Sequence, residues 1–143
     1  GADTYALLDA GGDRTFCSTA LLTTQQIRGK SSKLSVSTLT NDRVVNCQTV
    51  RLHVAPPGQE GEDGLHLSAV YAIDKLPSMK GSFATACDVE KFSHLSNLPL
   101  PDVDSTAVHL IVGQDNSDAF IPLEVRRGYR GEPWAIRTLL AGR

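Results

Sequence analysis

The first stretch that is suited to chemistry is a short apolar run that ends in a carboxylate. Residues 5–8 are apolar, Asp9 follows directly, and Ala10, Gly11 and Gly12 come next. The apolar run predicts a buried strand, and the glycines predict a tight turn at its end. We therefore expect Asp9 at a strand end, where backbone groups can crowd its carboxylate. Because Asp is also a common turn former, a purely structural turn residue is the alternative.

The residue types that bind metals or act as thiol nucleophiles are spread singly through the chain. Neither a C-x-x-C pair nor a local histidine cluster occurs, so nothing local predicts zinc, although a site could still assemble in three dimensions. Reduced, mostly buried thiols in a reducing compartment are the expected state of the cysteines. We therefore predict no metal and no cofactor. The residues concerned are Cys17, Cys47, Cys87, His53, His66, His94 and His109.

The sequence motifs of several other enzyme classes are absent. No glycine pattern matches G-x-x-x-x-G-K-[ST] or G-x-G-x-x-G, and no G-x-S-x-G marks a serine nucleophile. Arg126, Arg127 and Arg130 could contact phosphate, but a solvated turn is expected without a wider basic patch. Asp115 does not begin an Asp-x-Gly pattern like the one that begins at Asp9, so we assign Asp115 a structural role near a helix start. We expect Asp13 either to brace the Asp9 loop or to lie near a substrate.

Composition and charge restrict the class of protein. The chain has 143 residues, of which 41% are hydrophobic and 21% charged, and its formal net charge is -2. These values predict one globular domain over residues 1–143 and give no electrostatic reason to expect nucleic acid or a membrane as a partner. No apolar run approaches the roughly 20 residues of a membrane span. The sequence does not open with a basic segment followed by an apolar one, so we expect no signal peptide.

Alternating apolar and polar residues predict a mostly β protein with a long hairpin in its middle. Residues 34–39 and 44–54 have the period of half-buried strands, and Asn41 with Asp42 is a turn signal between them. The outer end of this hairpin is expected to be mobile. In the next strand the odd-numbered residues, Ala69 among them, are expected to share one face. The other predicted strands and strand-like segments are residues 65–73, 107–112, 121–125 and 134–140.

Two short helices are predicted between the strands. Ser18 can cap a helix over residues 19–28, which Gly29 would stop. Asp88 can cap a second helix, because the apolar residues that follow it have helical spacing. Those apolar residues are Val89, Phe92 and Leu95.

The triplet Asp9-Ala10-Gly11 after an apolar run resembles the active-site loop of retroviral-type aspartic proteases, the retropepsins. The apolar strand that ends at Gly113 and the intervening hairpin, where retropepsins place their flap, add to this resemblance. The later part of the chain is similar to the peptidase of BEL/Pao long-terminal-repeat retrotransposons. In that family a strand ending in Gly-x-Asp precedes an x-Gly-x-Pro segment and a Thr. The matching segments here are residues 74–77, 94–102, 110–115, 127–128, 132–133 and 137–138.

The resemblance extends over residues 5–138 and implies a fold and an activity. The fold would be retropepsin-like, a closed or sandwiched β-barrel with a flap hairpin and one or two short helices. The activity would be that of an aspartic endopeptidase that processes a retrotransposon polyprotein, in the cytoplasm within the retroelement particle. A chain with one catalytic aspartate must work as a homodimer. An extended peptide would then bind under the flaps, and two Asp9 carboxylates would activate one shared water.

The resemblance also implies roles for residues around Asp9. The active-site loop would contain Ala10, Gly11 and Gly12. The substrate-binding flap would contain Leu39, Thr40, Asn41 and Asp42. The strand behind the active site would contain Ile111, Val112 and Gly113. Retropepsins usually pair terminal strands in their dimers, and residues 134–140 are the apolar candidate here.

Two departures from the family pattern leave alternatives open. Ala10 lacks the hydroxyl that hydrogen-bonds across the dimer in the family, and residues 139–143 lack the usual Gly-Trp. The first departure predicts weak dimerisation rather than a loss of the chemistry. One alternative is a catalytically weak or inactive dimeric domain of the same fold that binds peptides or acts as a scaffold. Another is a monomer, in which a solitary Asp9 has no partner carboxylate.

Overall fold

Within the described residues, the strands form a six-stranded mixed sheet and a separate two-stranded ribbon. The computed structural model describes residues 3–37, 40, 42–56, 64–76, 86–98, 100 and 107–141. The strands are β1 (Tyr5–Leu8), β2 (Phe16–Ser18), β3 (Lys30–Ser37), β4 (Asp42–Val54), β5 (Leu65–Ile73), β6 (Val108–Val112), β7 (Glu124–Arg126) and β8 (Ala135–Arg137). The helices are α1 (Thr19–Gln25) and α2 (Ala86–Val89), with 3₁₀ segments at Ser93–Leu95, Gln114–Phe120 and Leu139–Ala141. The expectation of a mostly β protein is confirmed.

The order of strands in the large sheet places the predicted Asp9 loop beside the end of β6. The order is β1-β6-β2-β5-β4-β3, in which β1 runs parallel to β6 and β2 runs parallel to β5. Because parallel strands end at the same edge and Leu8 pairs with Val112, the residues that follow them, Asp9 and Gly113, leave the sheet side by side. Strands β1 and β3 lie at opposite ends of the order and do not pair among the described residues.

Strand β6 contributes residues to two separate apolar clusters. Leu110 and Val112 belong to the main cluster, whereas Val108 and Ile111 pack against Leu7 in a smaller one. The sequence of β6 is apolar except at the half-buried His109, as expected for a strand most of whose residues are buried. The main cluster also contains Cys17, Leu22, Val50, Leu67, Val70, Ala72 and Ala119.

Strand β1 is less buried than its apolar sequence predicted. Tyr5 and Ala6 are exposed, and Leu7 and Leu8 are half-buried. The reason is topological, because β1 has β6 on one side and no described strand on the other. An edge strand presents unpaired backbone groups and part of its side-chain surface to solvent.

The predicted alternation along β5 fails at Ala69. The strand has the predicted bounds, but its buried residues are Leu67, Val70 and Ala72, so the odd-numbered face is not kept. Ala69 has a positive φ of 53°, and the pairing with β4 shifts register between Val50 and Leu52. A bulge inserts one residue into a strand and thereby moves the following side chains to the other face.

Helix α1 begins as predicted and ends earlier. The Ser18 side chain accepts a hydrogen bond from the Leu21 N–H, which is the N-cap interaction expected from the sequence. The helix ends at Gln25, and its C-cap residue Gln26 has a left-handed φ of 54° and donates its N–H to the Leu22 and Thr23 carbonyl oxygens. The prediction that Gly29 stops the helix is therefore wrong, because a left-handed C-cap formed three residues earlier.

The second predicted helix is shorter than its apolar spacing suggested. Asp88 lies inside α2 rather than before it, and α2 ends at Val89. Phe92 has extended backbone angles, and the chain then forms a 3₁₀ turn that buries Leu95. Helix formation is cooperative, so a helix of one turn gains little stability from its own hydrogen bonds.

The end of the described chain forms the two-stranded ribbon. Strand β7 occupies only the end of the predicted strand at 121–125, and β8 lies within the predicted apolar segment 134–140. The two pair antiparallel, with Val125 opposite Ile136. Among the described residues, none of the helices has the length and apolar character needed to cross a bilayer.

Candidate active site

The Asp9 carboxylate lies at the end of β1 in a turn fixed by backbone hydrogen bonds. The Asp9 N–H donates to the Val112 carbonyl oxygen at 2.8 Å, which extends the β1–β6 pairing by one residue. The Gly12 N–H donates to the Asp9 carbonyl oxygen at 3.1 Å and closes a four-residue turn. The Gly11 N–H donates to Asp9 Oδ1 at 3.2 Å. The carboxylate is thus oriented by its own loop while it remains exposed to solvent.

Gly12 provides the space that this carboxylate occupies. A Cβ atom at position 12 would lie 2.7 Å from Asp9 Oδ2 and 3.2 Å from Asp9 Cγ. A Cβ at Gly11 would make an ordinary contact of 3.6 Å with Asp9 Oδ1. The two glycines therefore differ, because Gly11 supplies an N–H to the carboxylate and Gly12 keeps its other oxygen uncrowded.

Gly113 allows β6 to end directly against the Asp9 loop. A Cβ at this position would overlap the carbonyl oxygen of Arg14 and lie 2.8 Å from its backbone nitrogen and carbonyl carbon. The next residue, Gln114, donates its N–H to the Gly12 carbonyl oxygen at 2.8 Å. The segments around Asp9 and Gly113, which are a hundred residues apart in sequence, are therefore in backbone contact both before and after the turn.

Thr15 is the centre of a buried polar network that the sequence did not predict. Its hydroxyl accepts hydrogen bonds from the Gly113 N–H at 3.2 Å and from Asn116 Nδ2 at 2.8 Å. It donates to Asp115 Oδ1 at 2.7 Å. A hydroxyl has one donor and two acceptor sites, so all its hydrogen-bonding capacity is used, and the side chain is fully buried. The network connects the end of the Asp9 loop to the residues that follow β6.

The two other acids near this loop have different environments. Asp115 lies in the first turn of the 3₁₀ segment Gln114–Phe120 and accepts the Thr15 hydroxyl, which agrees with the structural role expected from the sequence. Asp13 is exposed, and its expected part in bracing the loop or contacting substrate stays a prediction. Ala10 is exposed at the outer point of the loop and carries only a methyl group there.

Arg14 connects the loop to β5 across the sheet. Its Nη1 donates to the Tyr71 hydroxyl at 2.8 Å, and its guanidinium carbon lies 5.3 Å from the centre of the Tyr71 ring. The Tyr71 N–H donates to the Thr15 carbonyl oxygen at 3.0 Å. A cation over an aromatic face adds a modest electrostatic attraction at an exposed site. The Arg14 guanidinium thus has the Tyr71 side chain as its partner.

The predicted flap lies on strands distant in the sheet order from the Asp9 loop. Leu39 and Asn41 fall outside the described residues, Thr40 is an exposed bend, and Asp42 begins β4. Three strands, β6, β2 and β5, lie between β1 and β4. Within the described part of the chain, no hydrogen bond or ion pair joins Thr40 or Asp42 to residues 9–12. By contrast, Val112 and Gly113 contact the loop, while Ile111 pairs with Leu7 of β1 and Phe16 of β2.

The cysteines and histidines do not form a recognisable metal centre where the chain is described. No group of three or more His, Cys, Asp or Glu side chains there could hold an ion. Cys17 and Cys47 are free thiols, and burial raises the pKa of the Cys17 thiol to about 11. His53 and His66 face each other across β4 and β5 with ring centres 4.6 Å apart. The side chain of Cys87 lies outside the described residues.

A serine–histidine pair is present but serves the fold. Ser18 Oγ lies 2.9 Å from His109 Nδ1, at the junction of β2, β6 and α1. The same oxygen accepts the Leu21 N–H as the cap of α1, and the serine is buried. A serine nucleophile has to reach a substrate carbon, which a buried capping serine cannot do. We therefore assign this pair to the packing of the helix on the sheet.

Comparisons with protein-family models, curated proteins and solved structures found no match to this chain. An exposed, oriented carboxylate beside a glycine that leaves it accessible can accept a proton from water or bind a cationic group. A single carboxylate of this kind can supply a general base or a general acid, but not both at once.

Proposed function

We propose that this chain is an aspartic endopeptidase of the retropepsin type, similar to the peptidases of BEL/Pao retrotransposons. The observation that supports the proposal most strongly is the geometry of Asp9. Its carboxylate is exposed, accepts the Gly11 N–H at 3.2 Å and stands at the junction of two parallel strands, β1 and β6. Backbone hydrogen bonds from Asp9 to Val112 and from Gln114 to Gly12 hold this junction.

The proposed chemistry requires two copies of the chain. Each contributes one Asp9, and the two carboxylates meet at a two-fold axis with a water between them. Because two close carboxylates cannot both ionise, the pair shares one proton. The ionised member removes a proton from the water as it attacks the peptide carbonyl carbon, and the protonated member donates to the carbonyl oxygen. Collapse of the resulting diol breaks the C–N bond, and a proton passes to the leaving amine.

The proposal extends to the substrate and to the fold. The substrate would be an extended segment of the retroelement's own polyprotein, bound by strand-like main-chain hydrogen bonds, within the particle in the cytoplasm. The hairpin of β3 and β4, whose tip includes Leu39 and Asn41, would close over it as a flap. Of the features expected for a retropepsin-like fold, the mixed sheet is the one that supports this proposal. The described β1 and β3 edges do not pair, so barrel closure is not among the supporting observations.

The direct test is cleavage of an unfolded protein by the purified chain at mildly acidic pH. We expect cleavage whose rate per chain rises with protein concentration and is lost in Asp9→Asn, because an amide cannot act as the base. Asp3→Asn is a matched control, since Asp3 is an exposed acid just before β1. Equal activity of the wild type and Asp9→Asn would contradict the proposal.

A second candidate function is a dimeric peptide-binding or scaffold domain of the same fold with little or no catalysis. The observation that favours it is Ala10, which presents a methyl group where the family pattern has a hydroxyl. Loss of one hydrogen bond costs about 0.5–1.5 kcal/mol, and a dimer loses it twice. Under the protease proposal Ala10→Ser should tighten dimerisation and raise cleavage. Under the scaffold alternative it should tighten dimerisation and leave cleavage absent.

A further inference from the structure

The loop between β7 and β8 concentrates positive charge, although the chain as a whole is negative. Residues 124–137 contain four arginines and two glutamates, a formal net charge of +2, whereas the whole chain has -2. On the polar side of the ribbon, Glu124 lies 3.7 and 3.3 Å from the arginine Nε atoms of β7 and β8. Arg127 and Arg130 are exposed, and neither has an ion-pair partner within the described residues. Two guanidinium groups of the loop are therefore available to an anion.

Two aromatic side chains lie beside these arginines and are largely in solvent. Tyr129 is 86% exposed and Trp134 is 64% exposed, although rings of this size usually bury most of their surface. Both rings and both arginines line one cleft of about 530 Å³, together with Gly128, Gly131 and Glu132. Positive charge and open ring surface thus belong to a single concave site.

Hydrogen bonds hold this cleft in shape. The Glu132 N–H donates to the Tyr129 carbonyl oxygen at 2.9 Å, and the Tyr129 N–H donates to Glu132 Oε1 at 2.7 Å. The carboxylate in the cleft is therefore engaged by the backbone. His94 attaches the loop to the rest of the chain, because its Nε2 lies 2.7 Å from the Pro133 carbonyl oxygen and its ring fills the space beside Gly128. A loop that is ordered before binding loses less conformational entropy when a ligand arrives.

We infer that this cleft binds single-stranded nucleic acid. A nucleotide presents an anionic phosphate, which a guanidinium binds, and a flat base, which stacks on an aromatic ring. Bases in a duplex are already stacked on one another, whereas a single strand leaves them accessible. An acidic peptide would pair with Arg127 and Arg130 but supplies no flat groups for the two rings. The charge of the whole chain gave no reason to expect such a partner, because the sum conceals the local excess of arginine.

Trp134 allows a direct test on the unmodified chain, because it is the only tryptophan of the 143 residues. Uridine RNA and thymidine DNA oligomers of about twelve nucleotides are titrated while tryptophan emission is recorded. Inorganic polyphosphate and polyglutamate of similar charge serve as controls without bases. We expect the oligonucleotides to quench the emission and to bind more tightly than either control.

Each result of this titration has a definite meaning. Quenching by either oligonucleotide supports the inference, and the tighter of the two identifies RNA or DNA as the preferred partner. Absence of quenching by both would overturn it. Polyphosphate or polyglutamate that binds as tightly as the oligonucleotides would also overturn it, because the rings would then contribute nothing.

The salt dependence tests the phosphate contacts. Two arginine–phosphate contacts on a single strand predict that the logarithm of the association constant falls with the logarithm of salt concentration with a slope of about -1.4. A slope near zero would contradict the inference, since binding would then not use Arg127 and Arg130.

Two arginine substitutions supply the matched test. Arg130→Gln removes a charge from the cleft, whereas Arg51→Gln makes the same change at an exposed arginine of β4. We expect the dissociation constant for the oligonucleotide to rise about fivefold in the first variant and its salt slope to lose about 0.7, with neither value changed in the second. Equal dissociation constants in the two variants would contradict the inference.

A third variant tests the stacking surface. Tyr129→Leu keeps an apolar side chain but removes the ring, and we expect the dissociation constant to rise about fivefold or more at an unchanged salt slope. Affinity equal to that of the wild type would argue against stacking on this ring. Circular dichroism verifies that each variant is folded, and the titration of the unmodified chain decides if one of them is not.

Discussion

The Asp9 loop and the ribbon of β7 and β8 differ in how much of their stabilisation lies within one chain. At the loop, Gly113 packs on the Arg14 backbone and Thr15 has all three of its hydrogen bonds within the chain. At the ribbon, only the polar side is satisfied, and Val125, Trp134 and Ile136 are exposed. The difference indicates that contacts within one chain position the loop, whereas the ribbon leaves much of its apolar surface in solvent.

The comparison predicts that a small change in the tightly packed region has a larger effect than the same change in the ribbon. Gly113→Ala would force its methyl group into the Arg14 backbone, and we expect the free energy of unfolding to fall by about 3 kcal/mol. Gly131→Ala is the ribbon's counterpart. Gly131 has a φ of +88° but nothing within 4 Å, so only backbone strain of about 1 kcal/mol is expected. Urea unfolding measures the free energy of unfolding of both variants. Equal losses would contradict the difference between the loop and the ribbon.

A second prediction concerns the buried hydroxyl of Thr15. Thr15→Val keeps the shape of the side chain and leaves the Gly113 N–H and Asp115 without their partner, which should cost about 2–3 kcal/mol. Thr49→Val is the matched control, because the buried Thr49 Oγ1 has no hydrogen-bond partner among the described residues. That variant should be neutral or slightly stabilising. Thermal unfolding of the pair tests the network, and similar melting temperatures would argue against it.

A third prediction uses the fully buried Cys17, which lies on β2 beside β6. Burial raises the pKa of its thiol from 9.0 to about 11. The folded protein therefore retains a proton that the unfolded chain loses, so the free energy of unfolding should fall between pH 9 and pH 11, by at most about 2.7 kcal/mol. Cys17→Ala should flatten this pH dependence. Cys47→Ala, which removes a half-buried thiol, should leave most of this pH dependence. An unchanged pH dependence in Cys17→Ala would show that Cys17 is not its source.

The smallest effect is expected on the polar side of the ribbon. Glu124→Gln removes the charge that faces Arg126 and Arg137, and these side chains are 37–49% exposed. Exposed ion pairs contribute little because water and salt screen them, so the free energy of unfolding should change by no more than about 0.5 kcal/mol. Urea unfolding of this variant and the wild type measures the change. A loss of about 2 kcal/mol or more would contradict the view that these are screened surface ion pairs.

Local sequence signals predicted the bounds of β5 and the end of β6, and failed where tertiary structure overrides them. The bounds of β5 and the end of β6 at Gly113 follow from apolar patterns and a glycine. The bulge at Ala69 and the C-cap of α1 at Gln26 depend on left-handed backbone angles of residues that rarely adopt them. Nothing in a single sequence marks such positions.

For the candidate site, the sequence predicted the loop but not its support. Asp9, Gly11 and Gly12 could be selected because their types and spacing have a direct chemical meaning. Thr15 could not be selected, because its partners Asp115 and Asn116 are a hundred residues away and meet it only after β1 and β6 pair. The exposed side of the ribbon was equally hidden, since its apolar residues have the same pattern as a strand facing a core.

The central claim is that two Asp9 carboxylates share one active site, and subunit mixing tests it most directly. Wild-type chain and Asp9→Asn are mixed at a fixed total concentration and allowed to exchange, and cleavage is measured at each ratio. A shared pair predicts activity in proportion to the square of the wild-type fraction, about one quarter of the full rate in an equal mixture. An activity of about one half would show that each chain works alone, and would contradict the account.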